Sequence, residues 1–185
     1  HPALTQKHED RTMIVELGHY ALILAFLVAV LQGVLPMIGA ASGNWHWQSL
    51  ARPAAITQFL LVSLSFVALA YAFQTHDFSV LYVAEHSNTR LPVMYRFAAI
   101  WGGHEGSLLL WLELLAIWTV SVALLSRQMP LATVARVISV LGLISSGFLL
   151  FVLTTSTPFE RLFPAPVEGK DLNPLLQDPG LVIHP

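Results

Sequence analysis

Cysteine is absent from the sequence, which removes structural disulfides and any thiol chemistry supplied by the chain itself. Charge is scarce as well: Asp, Glu, Lys and Arg make up 11% of the residues and the formal net charge is -2. No Lys/Arg cluster interrupts the chain, so the footprint that would hold a phosphate backbone is missing and nucleic-acid binding is excluded. Hydrophobic residues reach 55% and the mean hydropathy is +0.66, a composition that belongs to membrane proteins.

The useful unit in such a chain is the membrane span, which needs roughly 20 mostly apolar residues. Four candidates are present, over residues 17–38, 53–73, 106–126 and 137–154. The first two lack charge, and the third carries Glu113 alone. The pattern predicts an all-α polytopic membrane protein with a four-helix transmembrane region over residues 13–154, an irregular loop between the second and third spans, and a proline-rich tail over residues 155–185. Met13 opens the apolar run IVELGHYALIL, so residues 1–12 are expected to be an upstream segment and Met13 the start. At the other end GLVIHP stops after an X-Pro step, as an interrupted chain would. The first span is too long, and lacks a clear cleavage site, for a secretory signal.

Basic residues set the orientation, because Lys and Arg accumulate in short cytoplasmic loops. The connection between the first two spans has only Arg52, and that between the third and fourth has Arg127 and Arg136 without an acid. Both are expected to be cytoplasmic. The 74–105 loop mixes Arg90 and Arg96 with Asp77, Glu85 and Glu105, and the tail mixes Arg161 and Lys170 with acids. Both are expected outside. Within the loop, residues 80–84 have β-branched and aromatic character, and residues 92–100 suit a short interfacial helix with Arg96 toward lipid headgroups.

The stretch WGGHEGSLLLW, Trp101 to Trp111, places a histidine and a glutamate between glycines just before the third span. Gly102, Gly103 and Gly106 allow close backbone approach, and free N–H groups at the start of the span can face an anion. His104 can ligate a metal or be satisfied as an interfacial side chain, and Glu105 can orient an imidazole or complement the helix N-terminus. Glu113 is costly in hydrocarbon unless it is protonated, paired or turned to a polar cavity, with snorkelling or an Arg partner as the bland solutions. His19 reads as an interfacial hydrogen-bonder, and His46 lies between Trp45 and Trp47 in an interface belt. His76 and His86 match no metal spacing. His184, held before Pro185 at the end of a turn-rich tail, is either a solvated loop residue or a haem ligand. No catalytic residue is assigned.

Three long motifs carry a resemblance: DFSVLYVAEHSNT at 77–89, LPVMYRFAAIWGGHEGSLLLW at 91–111 and EGKDLNPLLQDPGLVIHP at 168–185. From Met13 onward the chain resembles the N-terminal part of the CcmF/NrfE family, membrane subunits of the bacterial cytochrome c haem lyase. The resemblance implies an inner-membrane protein that accepts haem from the chaperone CcmE. With CcmH and CcmI it would join that haem to apocytochrome c, forming thioethers at a CXXCH motif. It implies that His184 is an axial ligand to the incoming haem. It also implies that a tryptophan-rich haem-handling segment, a second outer histidine and two intramembrane haem histidines lie beyond Pro185, so this piece alone would be inactive. Trp101, Gly102, Gly103, His104, Glu105 and Gly106 are then expected to form an outer platform beside haem or apocytochrome. The residues do not separate CcmF from NrfE.

Two other classes remain open. An ion- or proton-translocating subunit would use Glu113 as a relay, although the second and fourth spans contribute no acid, lysine or histidine. A non-catalytic membrane scaffold needs only the four spans.

Overall fold

The computed structural model describes the backbone of residues 2–174 and 180, with side chains from residue 13 onward among these. Seven helices follow one another: α1 (Pro2–Ser42), α2 (Trp45–Ser49), α3 (Ala51–Gln74), α4 (Leu81–His86), α5 (Val93–Ala99), α6 (His104–Leu125) and α7 (Leu131–Thr155). Four stretches are long and apolar enough to cross a membrane: Met13–Ser42, Trp45–Gln74, His104–Leu125 and Leu131–Thr155. Each is helical because hydrocarbon offers no partner to a peptide group, and a helix satisfies its own. Among the described residues no strand forms, and the sole ladder contact is an antiparallel bridge between Val80 and Arg161.

The helices run past the hydropathy boundaries. The fourth starts at Leu131, six residues before 137, and α3 reaches back to Ala51. Residues 80–84 are not extended: Leu81 to His86 form α4, with Val80 as its extended N-cap. Helix wins there because Ala84 N–H reaches the Val80 carbonyl at 3.0 Å and the buried Tyr82, Val83 and Ala84 pack inward. Helix α5, Val93–Ala99, falls where a short helix is expected over residues 92–100. The half-buried Arg96 donates to the Gln74 carbonyl at 3.3 Å and faces His76 Nε2 at 3.1 Å.

The chain divides into two compact units. One consists of residues 21–64 and 111–154. Its buried positions recur every three to four residues and are largely small: Ala25 and Ala29 on α1, Ala51 and Ala55 on α3, Ala116 and Ala123 on α6, and Ala135 and Gly142 on α7. Lipid-facing and protein-facing sides are both apolar, so size marks the packed side in place of polarity. At Gly142 an added Cβ would meet the Gly33 nitrogen at 2.9 Å, so α7 and α1 touch backbone to backbone. Beside that crossing the buried Gln32 donates to the Ile138 carbonyl at 3.1 Å. Such an interhelical bond contributes about 0.6–2 kcal/mol in a membrane. Arg52 and Arg136, the residues that mark the expected cytoplasmic loops, donate to the Ser126 and Ala40 carbonyls, each at 3.2 Å. They complement helix C-terminal carbonyls where the macrodipole is negative.

The other unit consists of residues 1–20, 65–110 and 155–185. Here α3 ends in a left-handed turn at His76, whose φ is 54°. The Asp77 amide reaches back to the Ala72 carbonyl at 3.0 Å and the His76 amide to Phe73 at 3.3 Å, the closing pattern usually built on glycine. Gly18 lies where a Cβ would strike Ala68 and the Phe159 ring, which seats the tail against α1.

Candidate functional site

The second unit gathers the WGGHEGS stretch, α4, α5 and the tail into one polar assembly. Its hub is Tyr82, 3% exposed. The Tyr82 hydroxyl accepts the Gly103 N–H at 3.0 Å and lies 3.1 Å from the Ile100 carbonyl, to which it donates. Burial is the main reason the phenol holds its proton well above the ordinary tyrosine range, and the nearby Glu105 charge acts the same way. The amides of Gly103 and Gly106 pull in the opposite direction and do not prevail.

His86, one helical turn on, has its ring 4.5 Å from that of Tyr82 and tilted 42° to it. Its Nδ1 sits 3.0 Å from the Tyr82 carbonyl, and because a carbonyl only accepts, Nδ1 carries the proton. A Cβ on Gly103 would strike both rings. One on Gly106 would overlap the Ile100 carbonyl oxygen. These two glycines are therefore required by close approach, with Gly106 buried in the first turn of α6.

The structure brings Trp101, Gly102, Gly103, His104, Glu105 and Gly106 together at the start of α6. His104 is exposed, and its Nδ1 lies 3.2 Å from the Ser156 hydroxyl just after α7. Glu105 is half-buried in the first turn, where its charge complements the helix N-terminus. Glu113 belongs to the other unit. It accepts the Ser63 hydroxyl at 2.7 Å, so of the solutions open to it the structure shows pairing, with an uncharged donor from α3. His184 and Pro185 lie outside the described residues. Among the described residues no three His, Asp or Glu side chains converge as a metal-holding group.

The sequence reading passed over Tyr82 and Ser156, left His86 unassigned and took Arg161 only as a charge of the tail. The spacing of Tyr82 and His86, four apart in LYVAEH, is the signal that would have placed both on one helical face. Arg161 pairs with Glu16 at 3.1 Å and with Asp77 at 3.5 Å, and donates to the Ser79 hydroxyl at 2.6 Å. Further along the tail, Glu168 accepts the Thr89 amide at 2.9 Å and its hydroxyl at 2.7 Å. Those bonds hold the exposed Glu168 carboxyl below the ordinary range. Asn88 donates to Asp171, and the Lys170 amide reaches the Ala84 carbonyl at 2.7 Å. An Asn88–Glu168–Asp171 pocket with Arg90 and Lys170 at its wall encloses about 420 Å³. The arrangement fixes a proline-rich tail to a helical platform and leaves a histidine at its exposed edge.

Comparison with known proteins bears on what this platform serves. Residues 101–185 match the family described as "Cytochrome C assembly protein". The cytochrome c-type biogenesis protein CcmF of Pseudomonas aeruginosa is 56% identical over 174 residues, covering 94% of this chain. The chain belongs to the CcmF/NrfE family. NrfE of Haemophilus influenzae is 44% identical over 173 residues, again 94% of this chain. A solved structure titled "Cytochrome c Heme Lyase CcmF" has a TM-score of 0.75 at 28% identity, over 80% of this chain and 25% of that one. The chain spans about a quarter of the CcmF and NrfE relatives, 26% of the first and 27% of the second.

Proposed function

We propose that the full-length protein carrying this chain is the haem lyase subunit of a cytochrome c biogenesis system in the bacterial inner membrane. The observation that carries the reading is the 56% identity to a CcmF over nearly the whole chain. Haem is the substrate, received from CcmE, and apocytochrome c is the acceptor, with CcmH and CcmI as partners. At each vinyl group a cysteine thiol of the CXXCH motif adds across the double bond: sulfur bonds one carbon, hydrogen the other, and no net oxidation occurs. The thiols come from the acceptor, which suits a chain without cysteine.

In this reading the unit holding Trp101 to Gly106 and the tail faces the periplasm, and Arg52, Arg127 and Arg136 face the cytoplasm. His184 serves as an axial ligand to the incoming haem iron through a neutral imidazole nitrogen. Trp101, His104 and Glu105 line the platform beside haem or apocytochrome. Gly103 and Gly106 let that platform close on Tyr82. The chain by itself supplies an anchor and one ligand, and the remaining steps belong to the rest of the protein.

The test is His184→Ala in the full-length protein, read as haem co-purifying from membranes and as holocytochrome c yield. Loss of both supports the reading, and wild-type levels of both refute it. His104→Ala and Glu105→Ala, read by the same two assays, decide whether the platform touches substrate or is architectural.

A further inference from the structure

Inside the unit of residues 21–64 and 111–154, each of the four spans buries a polar side chain: Gln32 on α1, Gln58 on α3, Thr119 on α6 and Ser139 on α7, none more than 1% exposed. Helical spacing puts them in one layer. Ala51, Ala55, Ala123, Val134, Ala135 and Ile138 form a single packed cluster. Gln58 lies three residues after Ala55, Thr119 four before Ala123 and Ser139 four after Ala135, so each stands one turn from the cluster on the packed face of its helix. Successive spans run in opposite directions across a membrane, and those three steps therefore lead to the same side. Gln32 joins them from α1 by donating to the Ile138 carbonyl at 3.1 Å.

Hydrogen bonding within the layer is incomplete. Thr119 donates its hydroxyl to the Leu115 carbonyl of its own helix at 2.7 Å. Neither the amide nitrogen nor the amide oxygen of Gln58 has a partner among the described residues, and the same holds for Gln32 Oε1 and the Ser139 hydroxyl. Hydrocarbon meets none of these groups, and leaving them unmet is costly. At 1% exposure or less they are enclosed by this chain's own helices, out of reach of lipid and of any residue packed outside the unit.

The geometry points to a buried water site: we propose that at least one water molecule sits in this layer and bridges Gln58 to Gln32 and Ser139. The mixture of open groups selects water among small ligands. A cation would satisfy only the oxygens and an anion only the N–H and O–H groups, whereas water donates two protons and accepts two. None of the four side chains carries a charge that would draw an ion. The four open atoms lie beyond hydrogen-bonding distance of one another, the separation at which a bridging water serves, and a buried water makes about three such bonds. The site depends on groups of this chain alone and is independent of the haem-lyase reading.

The test uses the full-length protein in lipid nanodiscs. Millisecond X-ray pulses convert bound water to hydroxyl radicals in place, and mass spectrometry reads which side chains become oxidised. Ile138, fully buried and bonded to Gln32 through its carbonyl, should be oxidised several-fold more than Leu22, an equally buried aliphatic residue ten positions from Gln32 along α1. Gln58→Leu removes the donors and the acceptor together and should bring Ile138 down to the Leu22 level, while Ser139→Ala should lower it partway. The wild-type ratio is read without any variant, so a variant that fails to fold does not decide the outcome. Equal oxidation of Ile138 and Leu22 in the wild type overturns the proposal, and so does an Ile138 signal unchanged in folded Gln58→Leu.

Discussion

Tyr82 and Gly103 are joined by a hydrogen bond of 3.0 Å in which the phenol oxygen accepts the amide proton, tying α4 to the loop that opens α6. The same hydroxyl then donates to Ile100, so one side chain satisfies both a donor and an acceptor that a tight turn leaves over. Tyr82→Phe should therefore destabilise this unit by about 1–3 kcal/mol, because a buried amide loses its partner. Thermal unfolding in detergent, with protease sensitivity between residues 100 and 103, checks it.

The pH response of that phenol follows from its raised pKa. Burial favours the neutral form in the folded state, so the stabilisation is fully present below the ordinary tyrosine pKa of about 10 and is lost as pH rises through the higher folded value. Titration at 295 nm should show a tyrosine signal that resists ionisation until the protein unfolds. In Tyr82→Phe that resistant signal should be smaller by one tyrosine.

Gly106→Ala and Gly147→Ala should behave oppositely. A Cβ at Gly106 overlaps the Ile100 carbonyl, whereas one at Gly147 meets nothing within 4 Å. The first should cost roughly 1–3 kcal/mol or more through forced backbone shifts. The second should be neutral or stabilising by up to about 1 kcal/mol from helix propensity. Paired thermal midpoints decide it.

Glu168 gives an acid-side prediction. Its pKa is depressed, first by the Thr89 hydroxyl and then by the Thr89 amide, so its contribution is present above the ordinary glutamate pKa of about 4.3 and is lost as pH falls through the lower folded value. The protection factor of the Thr89 amide, its exchange rate relative to an unstructured peptide at the same pH, should be high at neutral pH and fall at strongly acidic pH. Glu168→Ala should remove that protection at both.

Ser63→Ala should leave the Glu113 carboxyl without its donor inside a membrane span, costing about 1–3 kcal/mol. Glu113→Gln should retain a Ser63 bond through its amide oxygen and keep most of that stability. Proton flux across vesicles should be the same for wild type and Glu113→Gln, and a loss in the variant would favour the translocation class.

Hydropathy along the chain was enough to read four spans, their helical state and the membrane class, because a bilayer imposes length and apolarity locally. Turn chemistry in the tail was also legible: its prolines predict irregular backbone, and residues 156–173 contain no helix. Composition alone did not decide residues 80–84, since β-branched and aromatic residues fit a buried helical face as well as a strand when tertiary packing covers them. The partners of Arg96 were hidden for a related reason. Composition locates an arginine near an interface, yet only the fold shows that it meets Gln74 and His76.

Which groups meet was decided by tertiary structure. Tyr82 with Gly103, Arg161 with Glu16 and Ser63 with Glu113 are separated by 21, 145 and 50 positions, and no local rule links them. The sequence by itself determined that the chain enters a membrane four times and in helices, because those are short-range consequences of hydrocarbon meeting peptide. The fold decided that glycines at 103 and 106 exist to admit a tyrosine and a carbonyl, because close approach is a property of neighbours that the chain brings from far away.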